Sequence, residues 1–186
     1  HSTFNPEPMS EFIDLFVIGE GEETIIDVAN ILKEWKFNKS DKQELVSKQD
    51  KKIELLRNMS EIEGVYVPYF YKPVYHMDGT LKSINPVDDK IKPVITKRIV
   101  KVMPPPVTKF IVPYVNVVHN RAPIEIMRGC TRGCRFCQAG MITRPVRERS
   151  VTEVLEAVES VVTHTGYEEV ALLSLSSSDY KNIEKL

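Results

Sequence analysis

The sequence predicts an α/β protein with a β-rich middle, and three observations carry that expectation. An apolar run from Phe12 to Ile18 leads through Gly19 and Gly21 into a helical pattern that ends near Trp35, a strand–turn–helix unit. Between residues 64 and 102 the chain is rich in aromatic and β-branched residues and carries an Asp78-Gly79 hairpin turn. From Ile124 to Leu175 the order is strand, loop, helix, strand, the first turn of a (β/α) barrel.

The chain opens without Met, on the Pro-rich loop Phe4-Asn-Pro-Glu-Pro8. The run 12–18 then reads as a buried strand, and residues 23–35 as a helix with Ile25, Ile26, Ala29, Ile31 and Leu32 on its apolar side. In open α/β sheets ligands sit at the carboxyl ends of strands, where Phe4-Asn-Pro and Gly19-Glu-Gly-Glu22 would lie. Residues 40–62 read as one or two charged surface helices, with Asp41 and Glu44 as a capping box and Gly64 beyond their end. The aromatic patch at 65–71 reads as an extended packing segment, because no basic residue is interleaved before Lys72 to suit a base-stacking platform. Runs at 73–77 and 80–84 flank the hairpin turn, with His76 as a strand residue and no ligand role. Residues 94–102 read as a further strand, followed by a stiff polyproline linker at Met103-Pro-Pro-Pro106.

In the last third, residues 124–127 form a short strand that leads directly into the loop bearing the cysteines. Ser150 and Glu153 make a capping box that opens a helix, Val154, Leu155, Val158, Val161 and Val162 share one face of it, and Gly166 ends it. The nearly continuous apolar run 169–175 suits a parallel strand buried on both faces. Ser176, Ser177, Ser178 and Asp179 follow that strand, so they and the cysteine loop would face one cavity at the carboxyl end of the sheet.

Composition narrows the classes. With 42% hydrophobic and 27% charged residues in 186, the chain has the apolar material for a core. A net charge of −1 supplies no general attraction to nucleic acid or membrane, and no apolar run reaches transmembrane length or reads as a signal peptide. The three cysteines, 130, 134 and 137, are odd in number and clustered, which argues against a disulfide framework and for a reducing compartment, the cytoplasm. Charge is unevenly spread: residues 1–34 hold eight acids and one base, while seven of nine arginines fall between Arg121 and Arg149. These arginines could meet a carboxylate or phosphate ligand, or simply pair with the acidic segment.

Three thiolates do not close a tetrahedral zinc site, and His119, the nearest histidine in sequence, lies eleven residues before Cys130. They suit a cubane cluster with three protein-held irons and one open iron. The spacing of three residues and then two, with Phe136 before the last cysteine, resembles the signature of the radical S-adenosylmethionine (SAM) superfamily. The wider run Arg128-Gly-Cys-Thr-Arg-Gly-Cys-Arg-Phe-Cys-Gln-Ala-Gly140, followed by Arg144-Pro-Val-Arg-Glu-Arg-Ser150, resembles the subgroup with an N-terminal cobalamin-binding domain.

That resemblance implies four parts. They are the tail of a Rossmann-like cobalamin-binding domain (1–36), a helical linker (37–63), a β-rich connector (64–120) and the first β-α-β of a TIM-like radical SAM barrel (121–186). It implies a 4Fe-4S cluster on Cys130, Cys134 and Cys137 whose open iron chelates SAM and whose electron cleaves it to a deoxyadenosyl radical. It places Phe136 beside the adenine, Ser176, Ser177 and Ser178 near the SAM amino group, and Asn5, Gly19, Glu20 and Gly21 against cobalamin. The superfamily has a Gly-Gly-Glu-like element after the second strand, and the serine run departs from it. Two barrel strands cannot close a barrel, so the sequence reads as an inactive fragment of a larger enzyme whose catalytic residues lie on other strands. The implied reaction is SAM cleavage, cobalamin-assisted, with methyl transfer as one outcome, on an unidentified substrate and with an electron donor as partner. A methylthiotransferase-like enzyme acting on RNA or protein, and a non-catalytic iron–sulfur or zinc module, are the alternatives.

Overall fold

The computed structural model describes residues 2–37, 47–115 and 117–186. It is a mixed α/β structure that divides into two compact units, His1–Val100 and Lys101–Leu186.

In the first unit β1 (Phe16–Val17) pairs antiparallel with β2 (Val65–Tyr66), Phe16 opposite Tyr66 and Val17 opposite Val65. Of the strand expected over 12–18, only these two residues join a ladder. The partner chain runs into Pro68, which has no N–H to continue the pairing, and Phe12 is left 80% exposed. Helix α1 (Gly21–Phe37) follows. It buries Thr24 and Val28 and packs Ile31, Leu32 and Trp35 against the core, whereas Ile25 and Ile26 are 61% and 60% exposed and Ala29 is exposed as well. The expected apolar side is thus corrected by rotation. Apolar residues run round more than one face of this helix, and packing against the β1–β2 core selects the face carrying Val28.

The turn into α1 is set by close contact. Gly19 has φ +109°, and a Cβ there would lie 2.2 Å from the Arg98 carbonyl oxygen, so only glycine fits. Gly19 and Arg98 form a parallel bridge, and the Glu20 carboxylate accepts the Val100 N–H at 2.6 Å. Arg98 is held from the other side by Glu23 at 2.6 Å and by Asp27 and Glu63. The strand expected over 94–102 reduces to that single bridge, because the neighbouring chain turns into α1 two residues after Gly19 and offers no further partners. Gly21 begins α1 with open space beside it, and Asn5 is exposed between two short 3-10 turns.

Helix α2 (Lys48–Ser60) starts at Ser47, whose side chain accepts the Asp50 N–H, and buries Leu55, Leu56 and Met59. The capping box expected at Asp41 and Glu44 lies outside the described residues. The 65–71 segment is a packing segment as expected: Val65, Val67 and Phe70 are inaccessible to solvent. Strands β3 (Tyr71–Tyr75) and β4 (Leu81–Pro86) form the expected hairpin, with Gly79 at φ +83° in the turn and His76 exposed.

The second unit carries a β-α-β unit. Strand β5 (Ala122–Glu125) runs on through Ile126 into β6 (Met127–Arg128), and β6 pairs antiparallel with β7 (Arg147–Glu148). A four-residue helix, α3 (Ala139–Ile142), lies within the excursion between β6 and β7. Helix α4 (Val151–Thr165) then crosses to β8 (Val170–Leu173), which pairs parallel with β5 in the register Ala122–Val170 to Glu125–Leu173. The capping box at Ser150 and Glu153 is present in both directions, and Gly166 closes the helix at φ +69°. Val154, Ala157 and Val161 bury against Ala122, Ile124 and Ile126, while Leu155 and Val162, expected on that face, are about half exposed. β8 corrects a second expectation: it is not buried on both faces, since Leu172 and Leu173, neighbours that point to opposite faces of the strand, are both exposed. No helix among the described residues is long and apolar enough to cross a membrane.

Candidate metal centre

The cysteine loop leaves β6 through Gly129. At φ +83°, with the Pro145 carbonyl oxygen 2.8 Å and the Val146 Cα 3.0 Å from where a Cβ would stand, this position admits glycine alone. The close approach brings the start of the loop, at Cys130, against its end, at 143–146. All three cysteines are free thiols: Cys130 buried, Cys137 half-buried and Cys134 exposed.

Backbone amides are directed at two of the sulfurs. The Arg132 N–H lies 3.4 Å from Cys130 Sγ, and the Gly140 N–H, at the start of α3, lies 3.4 Å from Cys137 Sγ. A turn in which the Cys137 N–H donates to the Cys134 carbonyl at 3.0 Å sets the second half of the motif. Gly140 sits between the outer cysteines, since a Cβ there would touch both Cys137 Sγ at 3.7 Å and Cys130 Cβ at 3.9 Å. Among the described residues no three His, Cys, Asp or Glu side chains converge on a single ion. A cubane asks for something wider, because each thiolate binds a different iron. The donor set fits such a group: three unpaired sulfurs on one loop, with amide N–H donors at two of them, the kind of hydrogen bond that tunes cluster sulfur.

Beneath the loop is a charged layer that the sequence did not reveal. The Arg149 side chain is only 2% exposed, and its Nε donates to the Glu125 carbonyl at 2.8 Å. Its Nη2 lies 3.6 Å from the Glu125 carboxylate, its Nη1 lies 3.9 Å from Glu153, and Nη1 makes no hydrogen bond. Arg128 grips the same Glu125 carboxylate as a fork, Nε at 2.8 Å and Nη2 at 3.1 Å. Tyr180, buried, donates its hydroxyl to the Arg149 carbonyl at 2.8 Å. The carboxyl end of β5, the start of α4 and the segment after β8 are therefore tied together at one point.

A second link joins the two loops at the carboxyl ends of β5 and β8. Arg132 forks onto Asp179, its Nε 2.7 Å from Oδ2 and its Nη2 on Oδ1, and the Ser176 hydroxyl donates to Asp179 Oδ2 at 2.8 Å. The guanidinium, helped by Ser176, holds the Asp179 carboxyl down at about 2, and the same bonds push Arg132 further up. Asp179 was visible in the sequence as the one acid of the second loop; its partner, 47 residues away, was not.

Phe136 stands out from the loop, 92% exposed. The Ser176 hydroxyl is engaged by Asp179 and the Ser177 hydroxyl by Ser174 at 2.8 Å, while Ser178 is exposed. Of the arginines near the cysteines, Arg128, Arg132 and Arg149 find partners in Glu125, Asp179 and Glu153, and Arg144 donates to the Gly140 carbonyl at 3.2 Å. In the first unit, Gly19 and Glu20 are engaged with residues 98–100, and Asn5 and Gly21 are exposed.

Residues 124–186 match the family model of the radical SAM superfamily, and residues 1–68 match that of the N-terminal part of radical SAM proteins. An uncharacterized protein of Methanocaldococcus jannaschii is 25% identical over 185 residues, 96% of this chain and 31% of that protein. The ribosomal protein uS12 methylthiotransferase RimO of Desulfotalea psychrophila is 37% identical over 60 residues, 32% of this chain and 13% of that enzyme. The chain thus spans less than a third of the length of either relative. No solved structure matches it significantly.

Proposed function

We propose that this chain, which carries radical SAM superfamily domains, is part of an enzyme that cleaves SAM reductively at a 4Fe-4S cluster held by Cys130, Cys134 and Cys137. The observation that carries the reading is the cysteine loop itself. It presents three free thiols at the carboxyl end of β5, two of them met by backbone amides, inside the stretch that matches the superfamily model. When bound, the cluster supplies the electron for SAM cleavage, and an electron donor is the partner that replenishes it.

The chain's own residues position and shield. Gly129 and Gly140 let the backbone close around the sulfurs, and the Arg132 and Gly140 amides donate to them. Phe136, exposed beside Cys137, is suited to cover the adenine face of SAM. Ser176, Ser177 and Ser178, together with the carbonyls of the loop after β8, are suited to accept from the SAM ammonium; the Ser176 proton goes to Asp179, which leaves the oxygen's lone pairs able to accept. The parallel β5–β8 pair with its α4 crossover is the start of a TIM-like barrel in this reading, with both loops at the mouth. The substrate is unidentified. Cobalamin assistance, with Asn5, Gly19, Glu20 and Gly21 at the corrin and methyl transfer as the reaction, is a separate part of the proposal, supported only by the resemblance of those stretches. A cytoplasmic location belongs to the same proposal, from the unpaired cysteines.

A second reading is modification of an RNA or a protein in the manner of a methylthiotransferase, favoured by the 60-residue match to the uS12-modifying enzyme. Deoxyadenosine formation tests the main reading. Protein carrying this chain within its full length should consume SAM under reducing conditions, and a Cys134→Ala variant should not; equal deoxyadenosine from both would overturn it. Added cobalamin that neither binds nor changes turnover would remove the cobalamin part alone, and sulfur inserted into the product would favour the second reading.

A further inference from the structure

The fork between Arg132 and Asp179 joins the cysteine loop directly to the loop after β8. Arg132 lies between Cys130 and Cys134, and its own backbone N–H points at Cys130 Sγ at 3.4 Å. Asp179 ends the short 3-10 turn Ser177–Asp179 after β8, the parallel neighbour of β5. The Arg132 side chain is 66% exposed and Asp179 only 12%. The anion is therefore the fixed half, anchored by the Ser176 hydroxyl, and the guanidinium is the arm that reaches across. A planar fork fixes orientation as well as distance, which a single contact does not.

We propose that Arg132 and Asp179 form a latch, positioning residues that hold the cysteine loop against the loop after β8 so that both walls of the SAM site are aligned before SAM arrives. This rests on the SAM reading given above. Because the latch is on the surface, its loss leaves the fold in place and loosens the loop locally. Cys130, 8% exposed, is then uncovered, whereas Cys134 is exposed already.

Two measurements test it. In metal-free chain, the alkylation rates of Cys130 and Cys134 are compared by mass spectrometry in wild type, Asp179→Asn, Arg132→Gln and the charge exchange Arg132→Asp with Asp179→Arg. Either single change should raise the Cys130 rate about tenfold relative to Cys134, and the exchange should bring it back towards wild type. Loss of a nearby guanidinium by itself slows thiol alkylation, so acceleration in Arg132→Gln reports opening. A Cys130 rate unchanged in both single variants would overturn the latch, whatever the cluster does. In reconstituted protein, Asp179→Asn should load as much iron as wild type yet need about tenfold more SAM to reach half of the SAM-induced change in the electron paramagnetic resonance spectrum of the reduced cluster. An unchanged SAM requirement would overturn the positioning role even if the loop opens. Wild type that takes up no iron would instead sink the cluster reading, and the alkylation arm would still decide the latch.

Discussion

Arg149→Met is the change whose cost can be worked most fully from the structure. The guanidinium is 98% removed from solvent by its own side-chain exposure of 2%, and its strongest bond runs from Nε to the Glu125 carbonyl at 2.8 Å. A hydrogen bond from a charged group contributes about 1.5–3 kcal/mol, and the carbonyl left behind is part-buried. The ion pairs to Glu125 and Glu153, at 3.6 and 3.9 Å, add little, because Arg128 still grips Glu125 and Glu153 is half exposed. Against these losses, Arg149 Nη1 is buried without a hydrogen bond, and removing it relieves about 1 kcal/mol. Met keeps most of the stem's packing. The net expectation is a destabilisation of about 0.5–2 kcal/mol, and Arg149→Ala should cost more by the lost packing. Urea unfolding followed by far-UV circular dichroism gives the totals, and hydrogen exchange resolved by peptide shows where protection falls. Loss should concentrate in residues 122–128 and 150–160, where Arg149 bonds. A Met variant as stable as wild type, or protection lost equally in α1 and α2, would refute the view that this cation ties β5 to α4.

Three further expectations follow from the same layer and loop. Ser150→Ala removes one half of the capping box of α4 and should cost about 1 kcal/mol in urea unfolding, with Ser150→Thr close to wild type. Gly129→Ala forces a Cβ to 2.8 Å from the Pro145 carbonyl at positive φ and should lower thermal stability and iron uptake together, whereas Gly133→Ala, with nothing within 4 Å, should leave both unchanged. Asp179 should titrate near 2 by carbon-detected NMR, and in Arg132→Gln its midpoint should rise towards the ordinary 3.8. Since the folded value is the depressed one, the link's contribution to stability is fully present above the ordinary carboxylate range and disappears as pH falls towards 2. An Asp179 midpoint near 4 in wild type would contradict the fork.

What the sequence made legible is what short-range chemistry decides. The Ser150–Glu153 box, the Gly166 stop and the Asp78-Gly79 hairpin each close within a few residues, so their partners were in view. The cysteine loop was legible for the same reason, all its sulfurs lying within eight residues. Packing faces were not: α1 carries isoleucines on more than one side, and only the position of the β1–β2 core decides that Val28 faces in while Ile25 and Ile26 face out. The run 12–18 was apolar enough for a strand, but strand length is set by the partner, and Pro68 ends that partner early. Long-range charge pairs were the least visible. Arg149 meets Glu125 through the antiparallel β6–β7 pairing, and Arg132 meets Asp179 through the β-α-β crossover; nothing in local spacing marks either pair.

Iron and acid-labile sulfide in anaerobically reconstituted protein bear most directly on the cluster assignment. Wild type should hold about four irons with matching sulfide and broad visible absorption, and Cys130→Ser, Cys134→Ser and Cys137→Ser should each lose them while keeping the far-UV spectrum of the folded chain. Zinc in place of iron, or full iron retention after loss of any one of the three cysteines, would contradict the assignment.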